Sequence, residues 1–185
     1  MTVAAVVLAA GGGTRFGGAT HKLLSEFRGR PLVEWAVERA LEAGLDDVLV
    51  VSGAVDLRDV VPAAARVVAN PRWAEGQATS LTAGIAAADA GGHDAVVIGL
   101  GDQPLLTTEA WRLVAATDAP VAVATYRGER RHPVRLSRSV WPLMPTEGDT
   151  GARVLFVQRP ELVVEVACPG EPADVDTVED LDRWS

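Results

Sequence analysis

The amino-acid sequence predicts an α/β protein with three layers and a mostly parallel central sheet. Apolar, valine-rich segments alternate along the chain with segments of helical pattern. Most of the apolar segments lack polar alternation, which is typical of strands that are covered on both faces. Helices between such strands provide right-handed crossover connections. Because no internal repeat, low-complexity stretch or linker interrupts this pattern, we expect residues 1–185 to form a single domain.

The predicted strands are short runs rich in valine and alanine, long enough to cross a sheet and too short for buried helices. They cover residues 3–10, 47–53, 65–70, 94–100, 121–126 and 162–168. The predicted helices have apolar residues at helical spacing, and the first begins at Pro31 and ends at Gly44, as start and stop signals require. They cover residues 31–44, 79–90, 108–117, 150–158 and 177–184.

Composition excludes several classes of protein. The chain has 185 residues, of which 48% are hydrophobic and 23% charged, so it can bury a core. Its net charge of -8 argues against a nucleic-acid partner. No apolar run reaches the roughly 20 residues of a membrane span, and no basic leader opens the sequence, so we expect no membrane contact and a cytoplasmic location. The lone Cys168 excludes an internal disulfide and is expected to be a core residue.

Two segments concentrate the positive charge that an anionic ligand would need. The chain has 17 basic residues, and Lys22 is the only lysine, seven residues after Arg15. Five arginines fall within residues 126–138. In an acidic chain these are the two places where we expect an anion site.

Ligands of open α/β sheets bind at the carboxyl ends of the strands, which directs attention to three loops. These are GGGTRFG (11–17), GDQP (101–104) and DVDT (174–177). The first is a poor dinucleotide-binding turn, because Phe16 stands where the third glycine should be. It is also no Walker A loop, because Gly17 is followed by Gly18-Ala19-Thr20. The loop is either a phosphate cradle assisted by Arg15 and Lys22 or a flexible turn with solvated cations.

The other two loops supply carboxylates. Asp102 follows a strongly apolar strand, so it is either a Mg²⁺ ligand completed by phosphate oxygens or a cap of the next turn. Asp176 is a second candidate, although Asp176 or Thr177 could also cap the last helix. Carboxylates, one lysine and one arginine around a glycine loop suggest phosphoryl or nucleotidyl transfer.

Six motifs in order resemble those of the molybdopterin nucleotidyltransferases, the enzymes that finish molybdenum cofactors, and among them the cytidylyltransferases. The motifs are LAAGGGTRFG (8–17) with HKLL (21–24), NPRWAEGQATSL (70–81), GDQP (101–104), RHPV (131–134), GDTGAR (148–153) and DVDTVEDL (174–181). The match covers nearly the whole chain. It implies a Rossmann-like nucleotidyltransferase fold and a nucleoside triphosphate, CTP, as substrate.

The resemblance also implies roles for individual residues. Arg15, Lys22 and Asp102 match the catalytic positions, and Asp102 and Asp176 match those that hold Mg²⁺. The nucleotide-binding positions are Leu8, Ala9, Ala10, Gly11, Gly12, Gly13, Arg15, Lys22, Gly76 and Ser80. The acceptor-binding positions are Gln103, Arg131, His132, Pro133, Asp149 and Arg153.

This chain departs from the family pattern at three points. Two extra residues lengthen the spacing between Arg15 and Lys22, which affects how Lys22 is placed. Phe16 takes a position often held by methionine. Arg131 replaces a common glycine, which would add a phosphate contact or narrow the acceptor site.

The implied reaction transfers CMP from CTP to the terminal phosphate of molybdopterin, with release of pyrophosphate. A molybdoenzyme or its chaperone is an implied partner. Guanylyl transfer to the same cofactor and transfer to a sugar or isoprenoid phosphate remain alternative reactions. A module that delivers the cofactor without turning over nucleotide is the alternative that is not an enzyme.

Overall fold

The computed structural model describes residues 1–17 and 20–184. Its strands, numbered in chain order, are as follows: β1 (Val3–Ala9), β2 (Glu26–Phe27), β3 (Arg30–Pro31), β4 (Asp47–Ser52), β5 (Arg66–Ala69), β6 (Ala95–Leu100), β7 (Val121–Tyr126), β8 (Glu129–Ser137) and β9 (Val163–Ala167). Within the described residues, seven of these strands form one sheet in the order β5–β4–β1–β6–β8–β7–β9. The two shortest, β2 and β3, pair with each other.

The helices alternate with the strands as the sequence predicts. They are α1 (Leu32–Glu42), α2 (Gln77–Ala90), α3 (Thr108–Ala116), α4 (Arg153–Gln158) and α5 (Val178–Trp184). The main difference lies in the predicted helix 150–158, because residues 150–152 precede α4 and belong to the loop that carries the GDTGAR motif. None of the helices in the described residues is long and apolar enough to span a membrane.

The sheet is buried on both faces, which confirms the predicted three layers. Side chains of β1 alternate in direction, so Ala5 and Val7 pack in the core beside α1 and α3. Ala4 and Val6 pack in the core on the other face, beside α2 and α4. The strand therefore needs apolar residues at every position, which explains its lack of polar alternation.

The arginine-rich segment 126–138 contains β8, a strand that was not predicted from the sequence. It runs antiparallel to both neighbours, β6 and β7, in an otherwise parallel sheet. Val134 and Leu136 face one core, whereas Arg135 points to the opposite face and is only 1% exposed. The Arg135 guanidinium donates a hydrogen bond to the Ala119 carbonyl. The arginines of this segment therefore do not share one environment, since Arg135 faces the core whereas Arg130 and Arg131 are exposed.

Candidate active site

Three loops from different parts of the chain meet at the carboxyl edge of the sheet. The glycine loop follows β1, Asp102 follows β6, and residues 168–177 return to this edge after β9. The Val175 N–H donates a hydrogen bond of 3.0 Å to the Asp102 carbonyl, which joins the last two. Because parallel strands end on the same side, the predicted functional loops are neighbours in space.

The glycine loop is held at its two ends. At its start, the Ala10 carbonyl accepts a hydrogen bond of 3.0 Å from the Ala54 N–H. At its end, Phe16 is buried in a small cluster with Phe27 and Val175. Between these points Gly13 has a φ of +60°, a backbone conformation that glycine adopts without strain. The loop thus has a defined course, although Gly18 and Ala19 in the lengthened spacing lie outside the described residues.

Trp73 supports the glycine loop, a role that was not predicted from the sequence. A Cβ added at Gly12 would lie 3.1 Å from the Trp73 ring, and one added at Gly53 would lie 2.5 Å from the Trp73 Cβ. Gly53 follows β4, so both loops approach the same tryptophan closely. The glycines therefore allow a contact that any side chain would obstruct.

Lys22 is the centre of the charged groups at this edge. Its Nζ donates a hydrogen bond of 2.7 Å to Asp102 Oδ2 and one of 3.1 Å to Asp176 Oδ1. Arg15 approaches Asp176 from outside, with 3.3 Å between Nη2 and Oδ2. Burial works to lower the pKa of Lys22, but the charges and hydrogen bonds of Asp102 and Asp176 raise it above its ordinary value. The ammonium is therefore charged at neutral pH.

His21 positions Lys22, and this role was also missed from the sequence. Its Nδ1 accepts a hydrogen bond of 3.3 Å from the Leu23 N–H, at the start of the short helical turn that carries Lys22. Its Nε2 lies 3.1 Å from the Gly11 carbonyl and donates to it, because only that tautomer satisfies both contacts. Burial lowers the pKa of His21, which favours this neutral form. Adjacency to Lys22 is the only sequence signal for it.

Asp174 and Gln103 form a polar pair beside the lysine cluster. Gln103 Nε2 donates a hydrogen bond of 2.7 Å to Asp174 Oδ1, and Gln103 itself is only 1% exposed. Burial and the nearby charge of Asp102 raise the pKa of Asp174. The buried Gln103 Oε1 has no hydrogen-bond partner among the described residues. The Asp174–Gln103 pair can therefore accept further hydrogen bonds.

The start of α2 is attached to the GDTGAR segment. Gly76 precedes this helix with a φ of +113°, and a Cβ there would lie 2.4 Å from the Gly148 carbonyl oxygen. That oxygen accepts a hydrogen bond of 2.9 Å from the Ala78 N–H. Ser80 is buried, and its hydroxyl accepts a hydrogen bond of 3.0 Å from Asn70 Nδ2. The predicted contact between Ser80 and the nucleotide remains a prediction.

A cavity of about 780 Å³ opens beside these groups. It is lined by residues predicted for nucleotide and acceptor together, including Leu8, Gln103, Arg131, His132, Asp149 and Arg153, and also by Gln77, Phe156 and Asp174. The sixth predicted acceptor residue, Pro133, is buried in β8 after a cis peptide bond. The structure thus brings five of the six predicted acceptor residues to one cavity, while their contact with an acceptor remains a prediction.

His132 gives the cavity wall a pH dependence. Burial lowers the pKa of His132 to about 4. The negative charge of Asp102 works to raise this pKa, and the positive charge of Arg153 works to lower it. Between pH 6.5 and 4 the unfolded chain binds a proton that the folded chain does not, so stability falls as the pH falls. The difference between a pKa of 6.5 and one of about 4 corresponds to about 3 kcal/mol. Because His132 is half-buried, we expect its protonation to lower the free energy of unfolding by only about 1–2 kcal/mol on acidification.

Denaturant unfolding of the wild type and of His132→Gln, measured at pH 7 and at pH 4.5, checks this prediction. We expect the variant to lose less stability than the wild type on acidification. Equal losses in the two proteins would show that His132 titrates normally.

The carboxylates at this edge fit a divalent cation that also binds substrate oxygens. Asp102 and Asp176 both direct an oxygen at one point, where the Lys22 ammonium stands in for a cation. Among the described residues, no group of three or more histidine, cysteine or acidic side chains is arranged to hold a metal without further ligands. Mg²⁺ typically takes one or two carboxylates together with phosphate oxygens, and the two aspartates match this pattern.

Comparison with known proteins identifies relatives over the full length of the chain. The chain is 37% identical to nicotine blue oxidoreductase of Paenarthrobacter nicotinovorans, over 98% of this chain and 95% of that protein. It is 32% identical to the purine catabolism protein PucB of Bacillus subtilis, over 96% and 93% of the two chains.

Solved structures share the fold of this chain, and a family model matches its sequence. The crystal structure of Rv0371c from Mycobacterium tuberculosis matches with a TM-score of 0.86 and 30% identity, over 99% of this chain and 96% of that one. The same protein has also been solved in complex with manganese. A family model for the MobA-like NTP transferase domain matches residues 5–162. The chain therefore belongs to the MobA-like NTP transferase family.

Proposed function

We propose that the chain transfers CMP from CTP to the terminal phosphate of molybdopterin and releases pyrophosphate. The observation that carries this proposal is the position of the cluster of Lys22, Asp102 and Asp176. It lies between the glycine loop on one side and the cavity of about 780 Å³ on the other. Two residues close to the cluster in sequence line that cavity: Gln103, which follows Asp102, and Asp174, which is two residues before Asp176. Phosphates held at the cluster therefore face a ligand held in the cavity.

The groups around the glycine loop suit a triphosphate. Backbone N–H groups of Gly11, Gly12 and Gly13 provide donors for phosphate oxygens, and Arg15 and Lys22 provide positive charge. The N-terminus of α2 at Gln77 also lines the cavity, and helix N-termini favour anionic ligands.

The cavity suits a pterin with a phosphate. A pterin carries neighbouring N–H donors on its pyrimidine edge, and Gln103 and Asp174 provide acceptors on the cavity wall. Arg131 and Arg153 provide cations for the phosphate. Because its pKa is about 4, His132 is neutral at pH 7. It therefore places no charge next to the pterin.

In this proposal Asp102 and Asp176 would hold Mg²⁺. When bound, it would neutralise charge on the triphosphate. The manganese complex of Rv0371c supports the use of a divalent cation in related proteins. His21 orients Lys22 toward the same place, and the buried Phe16 and Val175 keep the two loops together.

The reaction itself requires positioning and charge neutralisation. An oxygen of the acceptor phosphate forms a bond to the α-phosphorus of CTP, and the bond from that phosphorus to the bridging oxygen of the β-phosphate breaks. A phosphate nucleophile is already deprotonated at neutral pH, so the protein needs no general base. Lys22 and Arg15 stabilise the charge that moves onto the departing pyrophosphate.

Ala10 supports the choice of CTP over GTP. In this family the cytidylyltransferases tend to have Ala-Gly where the guanylyltransferases have Gly-Gly, and the chain has Ala10-Gly11. Ala10 is buried, and its carbonyl fixes the start of the loop. We expect the kcat/KM for CTP to exceed that for GTP at least about tenfold, or ~1.4 kcal/mol. In Ala10→Gly we expect the ratio of these two kcat/KM values to be smaller. Equal kcat/KM values in the wild type would contradict this prediction.

A second candidate is reduction of a heteroaromatic compound with a nicotinamide cofactor. It is favoured by the 37% identity to a protein named nicotine blue oxidoreductase. The glycine loop after β1 is also where a dinucleotide would bind in an open α/β sheet. Phe16 argues against it, because it is buried where a dinucleotide-binding turn has its third glycine.

One pair of assays on the same preparation separates the two candidates. We expect pyrophosphate release from CTP and Mg²⁺ only when molybdopterin is added, and no oxidation of NADH or NADPH with a heteroaromatic acceptor. Oxidation of the reduced nicotinamide without pyrophosphate release would establish the oxidoreductase. The absence of both would favour the delivery module.

A further inference from the structure

The Lys22 ammonium occupies the point that a divalent cation would take between Asp102 and Asp176. It lies 2.7 Å from one carboxylate and 3.1 Å from the other. The Lys22 side chain is 11% exposed, less than either aspartate, so the ammonium is more enclosed than its partners. A cation that approaches from solvent meets two carboxylates that already share one ammonium, which halves their negative charge and occupies the space between them.

Displacement of this ammonium requires another anion to receive it. An enclosed charge that loses its partners carries a desolvation penalty that the protein does not offset. Two carboxylates released from the lysine would attract a cation, but the freed ammonium would repel the same cation at close range. A triphosphate removes the difficulty, because its oxygens accept the ammonium while the carboxylates become free.

The backbone of Lys22 is fixed, so the movement is confined to its side chain. His21 caps the turn that carries Lys22, and the Ser25 N–H donates a hydrogen bond to the Lys22 carbonyl. A Cβ at Gly13 would lie 3.2 Å from the Lys22 Cβ, which shows how closely the glycine loop packs on the base of the side chain. The flexible four-carbon stem beyond it can redirect the ammonium from carboxylate to phosphate.

We propose that the Lys22 ammonium prevents free divalent cations from binding between Asp102 and Asp176. A nucleoside triphosphate makes this site available, because its phosphates accept the ammonium in place of the carboxylates. This inference rests on the proposed function for the identity of the ligand that moves the lysine. Its consequence is an order of binding. The metal enters the site with the nucleotide or after it, and the empty protein binds metal weakly.

The first test measures Mn²⁺ binding by electron paramagnetic resonance of free Mn²⁺, without nucleotide or acceptor. We expect Lys22→Met to bind Mn²⁺ at least about tenfold more tightly than the wild type. Arg15→Met is the matched control: Arg15 also pairs with Asp176, but its side chain is 78% exposed, so we expect a change below about threefold. Adding Asp102→Asn to Lys22→Met should remove the gain.

Either of two results would overturn the proposal. One is an unchanged or weaker Mn²⁺ affinity in Lys22→Met, and the other is a gain that persists after Asp102→Asn. Circular dichroism verifies that the variants are folded, and Lys22→Gln provides the same measurement if the methionine variant is not.

The second test uses the fact that Lys22 is the only lysine of the chain. Labelling with ¹³Cε-lysine therefore gives one side-chain resonance in the whole protein. We expect CTP in the presence of a chelator to shift this resonance, and Mg²⁺ alone at millimolar concentration to leave it in place. A shift with Mg²⁺ alone, or none with any of the four nucleoside triphosphates, would overturn the proposal. Because no acceptor is present, a protein that transfers nucleotide to some other acceptor still gives the expected result.

Discussion

Asp102→Asn is expected to reduce CMP transfer about 10³-fold, which corresponds to ~4 kcal/mol in the activation barrier. The substitution keeps the shape of the side chain and removes the charge that the proposed Mg²⁺ requires. It also removes one of the two carboxylates that orient the Lys22 ammonium. Two groups that neutralise triphosphate charge are thus affected by one change.

The effect on stability should be small, because Lys22 keeps its hydrogen bond to Asp176. Asp59→Asn is a suitable control, since Asp59 is an exposed carboxylate that belongs neither to the lysine cluster nor to the cavity wall. Steady-state rates and melting temperatures of both variants on parallel preparations check the prediction. If Asp102→Asn keeps more than about a tenth of the wild-type kcat, another residue holds the metal.

Lys22→Arg is expected to lose about 10²-fold in turnover, or ~2.7 kcal/mol, although it conserves the charge. A compact ammonium fits between two carboxylates or two phosphates, whereas a planar guanidinium needs a wider, forked opening. Lys22 is enclosed by Asp102, Asp176 and the glycine loop, so this space is not available. The chain uses arginine at 16 of its 17 basic positions, which makes the single lysine informative.

Arg66→Lys is the matched control for Lys22→Arg. Arg66 begins the edge strand β5, away from the candidate site, and its side chain is half exposed beside Asp47, so we expect less than about a threefold change in kcat. Near-normal turnover in Lys22→Arg, with a normal melting temperature, would show that charge alone matters at this position.

The fold could be predicted from the sequence because hydrophobic periodicity carries most of the information about it. Residues 3–9 and 95–100 are apolar throughout, as strands buried on both faces must be, and both segments are strands in the structure. β8 was missed because its first three residues, Glu129–Arg131, are charged and exposed, and because a buried arginine interrupts its second half. Arg135 is tolerated through tertiary contacts such as its hydrogen bond to the Ala119 carbonyl, which no local pattern reveals.

The candidate site could also be predicted in part from the sequence. The rule that ligands bind at the carboxyl ends of parallel strands was sufficient to single out the loops that contain Lys22, Asp102 and Asp176. The supporting contacts of His21 and Trp73 could not be predicted, because each depends on a residue distant in sequence or on close approach of backbone. Whether Ser80 contacts a nucleotide from its buried position is likewise a question of tertiary structure.

The most direct test of the central claim is the mass of the product formed from molybdopterin. The wild-type protein is incubated with Mg²⁺, molybdopterin and each of the four nucleoside triphosphates in turn, and the pterin product is analysed by mass spectrometry. We predict that the CTP reaction gives molybdopterin carrying one CMP, with an equal amount of pyrophosphate, and that Lys22→Arg and Asp102→Asn give little of it. Unmodified molybdopterin after incubation with all four nucleotides would contradict the claim.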